Sequence, residues 1–255
     1  MKEAEKLFKE GINLIEKNNF SGAEEILRKS LGLMMGYDSY ESNILKFQIN
    51  IKLGEALYKS GRGGEGIIPY SDALLIARDL RHKEYETLAR ISLARSYFLT
   101  SQYDLCLKEA YQGLKISKEN NYYEFCSLSA YFCGMANRNL RQLQNALDFF
   151  EEALYYGRKS GSGTKIANAL NEKGNILFLM GNFSEALKIK LEALEFAKKE
   201  GDKESISNFL NDISIIYSQR GNHQQAENYL IESLKITENL GNERNILYCL
   251  LNLAL

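Results

Sequence analysis

The sequence predicts an all-α chain, a right-handed superhelical solenoid of antiparallel helix pairs. Three observations carry this: almost no proline, small residues recurring with a fixed period, and two amphipathic stretches inside each period. The 255 residues hold one proline, Pro69. Helices can therefore run without interruption, because proline removes a backbone donor and clashes with the preceding turn. The period is visible directly. Gly181-Asn182-Phe183-Ser184-Glu185-Ala186 returns 40 residues later as Gly221-Asn222-His223-Gln224-Gln225-Ala226. Gly201-Asp202-Lys203-Glu204 returns in the same step as Gly241-Asn242-Glu243-Arg244.

Three columns extend the period along the chain. The first reads Gly11, Gly54, Ala94, Gly134, Gly174, Ser214, Ala254; the second Ala23, Gly66, Cys106, Ala146, Ala186, Ala226; the third Ser30, Ala73, Gly113, Ala153, Ala193, Ser233. Every interval is 40 except the first, which is 43. A companion column is always Leu: Leu31, Leu74, Leu114, Leu154, Leu194, Leu234. Small side chains let two crossing helices approach, and the neighbouring leucine fills the space beside them.

The repeats divide as 4–46, 47–86, 87–126, 127–166, 167–206 and 207–246, with a partial seventh over 247–255. Within 167–206, the apolar spacing predicts one helix from Ala167 to Met180 and a second from Ser184 to Lys199. Gly181 closes the first in a left-handed conformation and Asn182 caps the second. Gly201 and Asp202 repeat the signal. The second repeat departs from the pattern at Gly61-Arg62-Gly63-Gly64-Glu65-Gly66 followed by Pro69, so its second helix is expected to start late or kink. One helix pair cannot bury its apolar face alone, so stacked neighbours share a continuous core and 1–255 is expected to be one array. Ile246 to Leu255 is apolar rather than a polar cap, which leads us to expect continuation in a longer protein or cover from another chain.

These columns and the Gly181-Asn182-Phe183 turn resemble the tetratricopeptide repeat. The 40-residue period is similar to a longer-helix subclass found in spindle-orientation adaptors and bacterial peptide-sensing regulators. The resemblance implies that the first helix of each repeat lines a concave groove for another polypeptide. Carried over position by position, it nominates Lys52, Arg95, Tyr131, Met135, Arg138, Asn168, Asn171, Asn175, Asn208 and Asn211 as peptide-binding residues. The asparagines stand out, since asparagine is a mediocre helix former and its amide offers both donor and acceptor to a peptide backbone. The same amides also suit hydrogen bonds between repeats. Arg95 and Arg138 suit carboxylates; Tyr131 with Met135 suits an apolar side chain.

Composition narrows the partner. With 32 basic and 33 acidic residues, net −1, the chain lacks the basic excess that nucleic-acid binding needs. The longest apolar run, Ile176 to Met180, is too short to cross a membrane, and no signal peptide opens the chain. The four cysteines lack metal or disulfide spacing and read as buried thiols of a cytoplasmic protein. His82 and His223 fall in turns, and the Gly61–Gly66 run neither follows a strand nor continues into GK[ST]. The expectation is a protein- or peptide-binding scaffold, without catalytic residues, cofactor or metal. Two alternatives stand beside it: a sensor of a short signalling peptide that controls a C-terminal output domain, and self-association through 247–255.

Overall fold

Two helices and two tight turns fill each period, and the computed structural model places them in register with the sequence repeat. It describes residues 1–241 and 243–253, with 243 and 244 described by backbone alone. Asn242 of the repeated turn, Ala254 of the first small column and Leu255 lie outside the described residues. Thirteen α-helices and one 3₁₀ turn make up the described residues, with no strand among them.

The chain forms two compact units, Met1–Leu140 and Arg141 onwards. The first holds α1 (Lys2–Glu16), α2 (Phe20–Gly32), α3 (Tyr40–Lys59), α4 (Ile67–Asp79), α5 (Lys83–Leu99), α6 (Tyr103–Glu119) and α7 (Tyr123–Asn139). The second holds α8 (Leu143–Ser160), α9 (Gly163–Leu179), α10 (Phe183–Glu200), α11 (Lys203–Gln219), α12 (His223–Leu240) and α13 (Glu243–Leu253). Helices α5, α7, α9, α11 and α13 begin 40 residues apart, at 83, 123, 163, 203 and 243.

The small columns do what packing requires. Every described member is buried. A Cβ on Gly11 would lie 2.7 Å from Leu27, and one on Gly174 would lie 2.6 Å from the Lys190 Cγ. Serines of the third column add one bond each. Ser30 Oγ donates to the Ala4 carbonyl and Ser233 Oγ to the Ser207 carbonyl, both at 2.7 Å and both 26 residues back. That geometry recurs because the helix-pair geometry recurs.

The turns carry the expected signals with some differences. Gly181 and Gly201 adopt positive φ, 81° and 69°. Asp202 caps α11 by accepting from the Ser205 N–H, and Asn222 caps α12 from the Gln225 N–H. Asn182 stands at the same kind of position without that side-chain bond. Helix α9 begins at Gly163, four residues before the boundary drawn from apolar spacing. In the second repeat, Gly63–Gly66 winds as the 3₁₀ turn and α4 follows it, so the second helix starts late and buries Pro69 in its first turn. All four cysteines are buried and none is in a disulfide, and burial pushes the Cys106 thiol up to about 12.

Candidate functional site

Consecutive first helices of the pairs touch one another: α1 with α3, α3 with α5 and α5 with α7 in the first unit, α9 with α11 and α11 with α13 in the second. Within either unit, no such contact joins consecutive second helices among the described residues. The first helices therefore form the tighter side of each unit, and all ten nominated residues lie on them. Lys52, Arg95, Tyr131, Met135 and Arg138 belong to the first unit; the five asparagines belong to the second.

In the second unit, α9 carries Asn168, Asn171 and Asn175 on one face, as the three- and four-residue spacing dictates. Their fates differ. Asn168 and Asn175 are half-buried, and neither amide makes a hydrogen bond among the described residues. Asn171 is only 7% exposed, and its Oδ1 accepts from Lys190 Nζ at 2.8 Å. Lys190 reaches this point from α10 because Gly174 has no side chain to obstruct its stem. The same ammonium donates to Asp212 Oδ2 on α11 at 2.8 Å and to the Asn171 carbonyl at 3.4 Å. At 1% exposure, Lys190 is a buried cation whose three donors are all engaged. The Asn171 amide oxygen is thereby taken up in tying α9, α10 and α11 together.

On α11, Asn208 is exposed and Asn211 half-buried. Each accepts through Oδ1 from an asparagine of α13, Asn208 from Asn245 at 2.8 Å and Asn211 from Asn252 at 2.9 Å. Both keep their own Nδ2 donors. Asn208, Asn211, Asp212, Asn245 and Tyr248 line a cleft of about 450 Å³ between α11 and α13.

In the first unit, Lys52 is held by Glu55 at 2.8 Å. Arg95 donates through Nη2 to the Tyr70 hydroxyl at 3.1 Å and lies over the Tyr58 ring, 4.2 Å from its centroid. Tyr131 is half-buried and meets Phe132 edge to face at 5.7 Å; Arg138 is half-buried on α7. Met135 is 8% exposed and belongs to the interior, which corrects the expectation of an open apolar pocket there. A second buried charge cluster sits on α5: Arg90, 5% exposed, bonds Glu86 at 3.0 Å and also reaches Glu109 on α6. Burial works to raise the Glu86 carboxyl, but Lys83 and Arg90 outweigh it and hold it below the usual carboxylate range.

Sequence reasoning missed Lys190, Asn245 and Asn252. A signal for Lys190 existed. Its 40-residue column reads Leu27, Tyr70, Ala110, Phe150, Lys190, Leu230, with the same first interval of 43, so a lysine occupies a core position. His82 caps α5, its Nδ1 accepting from the Tyr85 N–H at 3.3 Å, and His223 opens α12. Among the described residues, no group of three acidic, cysteine or histidine side chains is placed to hold a metal. Among the described residues, no helix is long and apolar enough to cross a membrane.

Comparison with known proteins agrees with this architecture. The tetratricopeptide repeat profile matches residues 126–199 and 165–239. No curated protein matches the sequence. Among solved structures, the apo form of RapI superposes with a TM-score of 0.75 at 18% identity, covering 99% of this chain and 95% of that one. NprR in complex with its cognate peptide NprX gives 0.71 at 15% identity, covering 98% and 71%. A Rap protein complexed with Competence and Sporulation Factor gives 0.69 at 13%, covering 97% and 73%. At these identities the likeness is one of fold, an all-α repeat solenoid. The tetratricopeptide repeat profile thus accounts for residues 126–239, and an all-α repeat solenoid fold spans nearly all of the chain.

Proposed function

We propose that this chain binds an extended peptide segment of a partner along the first-helix faces of its repeats. The observation that carries the reading is the pair Asn168 and Asn175. They are half-buried amides on one helix face, one turn either side of Asn171, with their hydrogen-bonding groups unspent. Amides lose energy when buried without partners, and a peptide backbone supplies an acceptor and a donor at each residue. Asn208 and Asn211 extend the row with free Nδ2 donors beside the α11–α13 cleft. Helices fixed by buried ion clusters are pre-formed, so little ordering cost falls on the protein when it binds. Solved neighbours that carry a cognate peptide and a signalling factor support the finer reading, a sensor of a short peptide.

The test is capture of partners from a lysate by wild type beside an Asn168→Ala, Asn175→Ala, Asn208→Ala variant of equal helicity, followed by binding of the captured partner's segments as synthetic peptides. The reading expects one segment to bind wild type and to weaken at least tenfold on the variant. Equal binding by both moves the interaction elsewhere. A second reading, self-association, is favoured by one observation: Leu247, Leu250 and Leu251 on α13 are about half exposed. Sedimentation of wild type beside Leu247→Glu, Leu251→Glu decides it, and a monomer at all concentrations removes it.

A further inference from the structure

The first unit carries a guanidinium with no carboxylate of its own. Arg95 is held on one side by the Tyr70 hydroxyl and on its face by the Tyr58 ring. Tyr70 is 1% exposed, so the anchor on which Arg95 rests is fixed. The Nε of Arg95 is buried and has no hydrogen-bond partner. Buried donors are nearly always paired in folded proteins, so the half-buried Arg95 guanidinium keeps bonding capacity that no described residue takes up.

The carboxylate whose charge acts on Tyr70, Glu55, is not available to fill that role. Its Oε2 takes Lys52 at 2.8 Å and its Oε1 takes Lys59 at 3.0 Å. Burial works to raise the Glu55 carboxyl, and the two lysines outweigh it and hold it low. Two lysines thus share one carboxylate. The lysines are committed to it, which leaves Arg95 as the open fork. One planar fork beside an aromatic ring matches one planar, bidentate acceptor.

We propose that Arg95, seated on Tyr58 and Tyr70, is a subsite for the side-chain carboxylate of a Glu or Asp in the bound peptide. The proposal rests on the peptide-binding reading above and adds the class of residue that the first unit selects. It differs from the asparagine row of the second unit, which reads backbone and carries no charge preference.

The test uses the intact chain, immobilised, and a position-scanning library of peptides blocked at both ends, so that the carboxylates offered are side chains. One position at a time is fixed as Glu, Gln, Lys or phosphoserine. Wild type is expected to enrich Glu over Gln by about tenfold at one register, and Arg95→Gln to abolish that preference with its melting temperature kept. Arg95→Lys, which keeps the charge and loses the fork, is expected to retain part of it. Enrichment of peptides by wild type without a preference for Glu overturns the subsite and leaves the peptide-binding reading standing. A preference that survives Arg95→Gln, or phosphoserine enriched above Glu, also overturns it. No enrichment of any peptide overturns both.

Discussion

The two units close their helices at the same step with different residues. Left-handed backbone recurs every 20 residues, at 61, 81, 101 and 121 in the first unit and at 141, 161, 181, 201, 221 and 241 in the second. From 161 onward every one of these positions is glycine. The first unit places Arg81, Ser101 and Asn121 there, with φ of 54°, 58° and 58°. A left-handed non-glycine residue costs roughly 1 kcal/mol. The period therefore dictates the backbone, and the side chain only decides what that backbone costs. The units also stabilise themselves with different buried charges. Arg90 of the first unit is matched by Glu86 and Glu109 within α5 and α6, whereas Lys190 of the second ties three helices together through Asn171 and Asp212.

The sharpest way to break this comparison is to remove the buried cations. Lys190→Ala leaves the Asn171 and Asp212 acceptors behind together with a cavity, and should destabilise the second unit by roughly 3–5 kcal/mol. Lys190→Met, which keeps the stem, should cost less by the cavity part alone, since both acceptors still lose their donor. Amide hydrogen exchange should show the loss in α9 to α11 and leave the first unit protected; uniform loss would contradict the division. Arg90→Ala should give the mirror pattern in α5 and α6.

A smaller effect separates the two glycines that face large side chains. A Cβ on Gly54 would overlap the Tyr70 ring, and one on Gly174 would meet the flexible Lys190 stem. Both Gly→Ala changes overpack, at about 1–3 kcal/mol. Gly54→Ala should be the worse, because a ring that is 1% exposed cannot swing aside. Urea midpoints with unchanged slope would check the order.

Acid should weaken the first unit through Glu86. Its folded carboxyl lies below the unfolded value of 4.5, so the unfolded state binds more protons in that range. The stabilisation is complete above pH 4.5 and falls away as pH drops through the folded value. Protection of α5 amides followed from above pH 4.5 down through the folded value should therefore decline, and Arg90→Met should flatten the decline. At the small end, Ser101→Gly should stabilise by up to about 1 kcal/mol and Gly181→Ala should destabilise by a similar amount. Equal signs at the two positions would mean that the turns are not equivalent.

The period, the small columns and the glycine turns were legible because each depends on one residue type at one spacing. Boundaries were less so: Gly163 reads as a breaker, yet α9 starts there, four residues before the apolar periodicity. The left-handed turns at Arg81 and Ser101 were invisible, since nothing in those side chains favours positive φ; only the packing of helices 20 residues apart demands it. The spacing puts Asn171 on one helix face with Asn168 and Asn175, but its burial depends on Lys190, which approaches from another helix past Gly174. Helix-face arithmetic sees one helix at a time. Arg95 is nominated by its position in the repeat, whereas its seat on Tyr58 and Tyr70 brings together α3, α4 and α5.

The most direct test of peptide binding on the first-helix faces is site-specific photo-crosslinking in the intact chain. Benzoylphenylalanine would be placed at Asn175 on α9 and, separately, at the exposed Glu195 on α10, the second helix of the same pair. The account predicts a partner adduct from position 175 and none from position 195. An adduct from 195 with none from 175 would place binding on the second helices and contradict it.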